Sequence, residues 1–194
     1  MGLHPAENRG YRELMLTARA GQARLERLAP RSGEAGDEVA KAAEALAQMV
    51  EEIEPPLATR GLHGKPAAQG GGSSIGLTRA ALVDRFLERN QALRLAVGDV
   101  DGVALLLAYL ARVAETRGDA ELEELSSSWE RKLRRQASTL RKAAVELGAD
   151  PDSAVARLDD STAGRVAHGV AYGFGSFGEA VDRTAARLRG RTQD

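Results

Sequence analysis

The stretch from Asp99 to Gly148 constrains this chain most, because it carries two long amphipathic patterns that meet at a turn. Val103, Leu106, Leu107, Leu110 and Val113 mark the first pattern and make it the most apolar segment of the sequence. Leu122, Leu125, Trp129, Leu133, Gln136, Leu140, Ala144 and Leu147 mark the second. Their spacing of three or four residues places them on one face of a helix. Gly118-Asp119 separates the two. Asp119 suits an N-cap, where a carboxylate accepts from the free N–H groups of the first turn, and Gly148 suits a left-handed residue just past the helix end. Glu121, Glu123 and Glu124 crowd the start, and Arg131, Lys132, Arg134, Arg135, Arg141 and Lys142 follow, as the helix dipole favours. Such a helix spans roughly 40 Å, long enough to form one wall of a bundle.

The rest of the chain supplies partners for that hairpin. Tyr11, Leu14, Met15, Ala18, Leu25 and Leu28 predict a helix over about 6–29, and Pro30-Arg31-Ser32-Gly33 stops it. Val39, Ala43, Leu46, Val50 and Ile53 predict a second helix over about 34–59, which Pro55-Pro56 should end or bend. The first of these helices is rich in arginine and the second in glutamate, so an antiparallel pair with complementary flanks is expected. Residues 61–76 lack periodicity and read as a flexible crossover linker of glycine and serine. Thr78 then offers an N-cap, with Leu77 and Leu82 as a hydrophobic staple, for a third helix to about Val97. Gly98 to Gly102 reads as a turn, or as a kink in one longer helix. Beyond Gly148, Asp150-Pro151 starts a short helix to Leu158, and Ser176 with Glu179 caps a last one; residues 190–194 form a frayed tail.

Composition narrows the class. A chain of 194 residues suits a single domain with a substantial core. Aromatic residues are only 4%, so Leu, Val and Ala must fill that core, which favours close helix packing over a sheet. The formal net charge of -1 argues against a dedicated nucleic-acid binder. Cysteine is absent, which excludes a disulfide, a thiolate metal site and a cysteine nucleophile. No signal core opens the sequence, and no run approaches the ~18 apolar residues of a membrane span. A cytoplasmic location with no membrane association is therefore expected. Only Lys41, Lys65, Lys132 and Lys142 are lysines, and this preference for arginine, with abundant alanine, points to a GC-rich bacterial genome.

Several motifs resemble chemistry. Gly173-Phe174-Gly175-Ser176-Phe177-Gly178 matches G-x-G-x-x-G, but too little sequence follows to complete a dinucleotide-binding unit, and no kinase catalytic loop occurs. Small residues that let helices approach account for it equally well. Gly64-Lys65 lacks the Ser or Thr of a phosphate loop, since Pro66 follows. His4, His63 and His168 lie far apart with no E-x-x-H, so no metal site is assigned. Arg165, His168 and Tyr172 fall at i, i+3 and i+7, where a helix would align a guanidinium fork, an imidazole and a phenol beside glycines. That trio is the candidate anion or cofactor site, with catalysis assigned to no residue and the cofactor, if one binds, unspecified. The basic residues around Arg131 to Arg135 and Arg183 to Arg191 read as dipole and solubility charge, with Glu130 pairing to Arg134 across one turn.

A helical hairpin, a long linker, a second hairpin and an appended C-terminal helix together resemble the layout of ferritin-like four-helix bundles. The turn region from Tyr109 to Val113 through Gly118-Asp119 to Trp129-Glu130 resembles that between the last two helices of some bacterial members. The diiron carboxylates and E-x-x-H histidines of that family have no counterpart here: Val103, Leu107 and Leu110 occupy one such helix, and Leu125, Trp129 and Leu133 the other. The expectation is an all-α, up-down bundle of four long helices plus short C-terminal helices, with one Gly-rich crossover linker. The expected function is a non-enzymatic interaction or scaffold protein that binds a protein partner or itself. The alternative is a ferritin-like or other helical enzyme, or a cofactor or anion binder, at Arg165, His168 and Tyr172.

Overall fold

A computed structural model describes residues 2–62 and 87–158. Four long helices pack around one apolar core: α1 (Pro5–Leu28), α2 (Gly36–Thr59), α3 (Arg89–Arg117) and α4 (Ala120–Glu146), followed by one turn of helix, α5 (Pro151–Ala154). No strand occurs among the described residues. At about 1.5 Å per residue the 29 residues of α3 span roughly 43 Å.

The helices form a square in which α1 adjoins α2 and α3, and α4 also adjoins α2 and α3. Short turns make the α1–α2 and α3–α4 pairs antiparallel. The end of α2 meets the α3–α4 turn, where Arg60 Nε donates to Asp119 Oδ2 at 2.8 Å. Arg89, at the start of α3, lies by Gly33 in the α1–α2 connection. Helices α2 and α3 therefore run in the same direction, and residues 63–86 connect opposite ends of the bundle. The predicted crossover thus has the right end points, while the linker from 63 onward and the Thr78 cap lie outside the described residues.

The core is filled as the spacing predicted. Leu14, Leu25, Leu46, Met49, Ile53, Leu93, Leu107, Leu110, Leu122 and Leu133 are fully buried, and alanines such as Ala18, Ala42, Ala96 and Ala114 let the helix axes approach. At Gly10 a Cβ would stand 2.7 Å from Leu110 Cδ2, so this glycine sets the α1–α3 approach. Trp129 is buried on the predicted stripe, with its Nε1 donating to Glu52 Oε2 at 2.9 Å and Lys132 Nζ 4.0 Å from the ring centre.

Local expectations fared unevenly. Of the two readings of Gly98 to Gly102, the single longer helix holds and the turn does not, because α3 runs unbroken from Arg89. Each glycine costs about 1 kcal/mol in a helix, and burial of Val97, Val100, Val103 and their neighbours outweighs it. Helix α2 closes at Thr59, as the spacing predicted, with Pro55 and Pro56 inside it near its end. The carbonyls they deprive of a donor belong to Glu51 and Glu52, which are exposed to water. Gly118, where the two helices were expected to meet, takes the left-handed conformation, at φ 70°. Gly148 does not, because α4 tightens into a 3-10 turn, Leu147–Ala149. The helix after Asp150 is one turn long instead of reaching Leu158, and Glu88 and Arg157 then pair as an antiparallel bridge. The flanks of α1 and α2 are shared more widely than expected: Arg19 reaches Glu54 on α2, but Arg24 reaches Asp99 on α3.

Candidate functional site

Two regions of the described structure depart from ordinary bundle packing. One is a buried polar clamp at the end where α1 begins, and the other is the outer face of α3.

The clamp grows from helix capping. His4 caps α1 with Pro5 at the first helical position; its Nδ1 accepts from Ala6 N, and its own N–H donates to Glu7 Oε2 at 2.7 Å. That bond turns Glu7 inward, where it is fully buried and ion-paired to Arg117 at the end of α3. Arg117 also donates to the Gly2 carbonyl at 3.1 Å. Among the described residues Glu7 Oε1 has no hydrogen-bond partner. One turn on, the Tyr11 hydroxyl meets Ser126 Oγ of α4 at 2.9 Å.

Asp119 does two jobs. As the N-cap of α4 it accepts from Leu122 N through Oδ1, and it also takes both Nε and Nη2 of Arg60 at 2.8 and 2.9 Å. This is a forked guanidinium–carboxylate pair. Arg60 further donates to Glu121 at 2.7 Å and to the Pro56 carbonyl at 3.0 Å. Hydrogen bonding from Arg60 holds the Asp119 carboxyl below its usual range, and the two carboxylates hold the guanidinium above its own. Burial pushes the Tyr11 phenol up to about 12, with Glu7 and Asp119 adding to the effect and the Ser126 bond opposing it. Tyr11 therefore stays neutral, and Asp119 and Arg60 stay charged, through the physiological range. The arrangement fastens three chain segments to one another.

Beside the clamp lies an open groove of about 320 Å³ between the start of α1 and the lower half of α3, with His4, Tyr109, Val113, Thr116 and Arg117 on its walls. A second, of about 240 Å³, separates α3 from α4 and carries Glu115, Glu123, Glu130 and Ser127. Among the described residues no group of three histidines or carboxylates stands where it could hold a metal ion.

The outer face of α3 is unusual for its lack of charge. Leu95, Gly98, Gly102, Leu105 and Tyr109 follow at steps of three and four, all exposed. Leu95, Leu105 and Tyr109 are 43%, 69% and 49% exposed, three of the five large hydrophobic residues so exposed among those described. A Cβ built on Gly98 or Gly102 would meet none of the described residues within 4 Å, so the face is notched between its apolar ridges. The outer faces of the other helices carry charge instead: Arg9 and Glu13 on α1, Glu44, Glu51 and Glu54 on α2, and Arg131, Arg134, Arg135, Arg141 and Lys142 on α4.

The predicted trio Arg165, His168 and Tyr172 lies outside the described residues, as do the G-x-G-x-x-G string and His63. Sequence reasoning missed the clamp and the α3 face. Pro5 and the His4-x-x-Glu7 spacing did carry a local capping signal, but nothing local links Arg60 to Asp119. The face stayed hidden while Gly98 to Gly102 was open between a turn and a longer helix; carried through as helix, the spacing of Leu95, Leu105 and Tyr109 is visible. Comparison with family models, with curated proteins and with solved structures found no match. Among the described residues no helix is long and apolar enough to cross a membrane.

Proposed function

We propose that this protein is a non-enzymatic, all-helical interaction or scaffold protein whose docking face is the outer side of α3. One observation carries the reading: three large apolar side chains and two open glycine positions form an uncharged stripe from Leu95 to Tyr109. In a chain with 28% charged residues, a contiguous apolar strip at helical spacing is the kind of surface that a partner helix covers. The interior supports the same reading. Leu107, Leu110, Leu122, Trp129 and Leu133 fill the bundle with hydrocarbon, and at its end Arg60 pairs with Asp119 and Arg117 with Glu7.

The helix order, two antiparallel hairpins joined across the length of the bundle, supports the resemblance to ferritin-like bundles in layout. Since leucines and Trp129 occupy the inward positions, the proposal takes the layout without iron chemistry. A bacterial, cytoplasmic setting is part of the same proposal and rests on arginine and alanine usage and the lack of cysteine.

The test is site-specific photo-cross-linking in the host. A photoreactive residue replacing Leu105 should give protein adducts, and one replacing Glu44 on the exposed side of α2 should give few. Equal yields at the two positions would reject the docking face.

A further inference from the structure

No further inference is drawn: the strongest candidate, the uncharged surface strip on the outer face of α3 from Leu95 to Tyr109, belongs to the docking reading above, and nothing in the structure shows what covers it.

Discussion

The fork between Arg60 and Asp119 joins the end of α2 to the α3–α4 turn, and its removal should cost far more than loss of an ordinary surface ion pair. Arg60 is 12% exposed and Asp119 8%, so water screens them poorly. Asp119→Ala removes the N-cap of α4, worth about 1 kcal/mol. It also removes two charge-assisted bonds from a guanidinium that keeps only Glu121 and the Pro56 carbonyl. Such bonds contribute about 1.5–3 kcal/mol each when intact, and the surviving partners offset part of the loss. The expected total is about 3 kcal/mol. Asp119→Asn keeps an oxygen for Leu122 N and should cost about 1 kcal/mol less. The assay is urea unfolding at neutral pH of the parent, Asp119→Asn, Arg60→Met and the double variant. The coupling energy from that cycle should be about 2 kcal/mol, against the 0.2–1 kcal/mol typical of exposed pairs.

Acid adds an independent check. Asp119 binds its proton more weakly when folded, because Arg60 hydrogen-bonds the ionised form. Its contribution is therefore fully present above the unfolded value near ~3.9 and is lost as pH falls through the lower folded value. The stability gap between parent and Asp119→Asn should be flat above about pH 5 and narrow below about pH 4. A coupling energy under about 0.5 kcal/mol, or a gap that ignores acid, would refute the clamp as a tertiary fastening.

Two further expectations test the interior. Trp129→Ala should destabilise by about 3–5 kcal/mol, the cost of truncating a buried aromatic, while Trp129→Phe should lose far less; calorimetry reads both, and an unchanged midpoint for the alanine variant would reject the core stripe. Tyr11 binds its proton more tightly when folded, so its contribution is intact below pH 10.0 and is lost as pH rises through about 12. The parent should therefore lose a few kcal/mol, up to about 3, relative to Tyr11→Phe across that window, as denaturant titrations at stepped pH would show.

What the sequence disclosed follows from the range over which each interaction acts. The core was legible because burial repeats along a helix: the spacing of Leu122, Trp129, Leu133 and Leu140 is a local fact that survives into the fold. Helix ends were partly legible, since Asp119 and Asp150 cap within three residues of themselves, as read. Gly148 failed because a 3-10 turn can satisfy the same carbonyls, and no residue type distinguishes the two endings firmly. The clamp was illegible because Arg60 and Asp119 meet only once the crossover has brought α2 and α3 into parallel.

Gly98 and Gly102 teach the opposite lesson, and they bear on function. Glycine twice within five residues reads as a break when its local cost is weighed alone. Here the buried side of the same segment, Ala96, Val97, Val100, Val103 and Ala104, holds the helix together across both. The cost is therefore real, and nothing among the described residues offsets it, since none of them stands where a Cβ on either glycine would touch it. An alanine at either position would give a more stable bundle at no steric cost to the interior. Glycine there leaves the backbone of α3 open to approach from outside, between Leu95 on one side and Leu105 and Tyr109 on the other. That combination, a stability cost on the outer surface next to exposed apolar side chains, is what a face shaped for close helix contact requires. Gly98→Ala with Gly102→Ala puts the two demands in conflict, since it should stabilise the isolated chain and weaken whatever docks on α3.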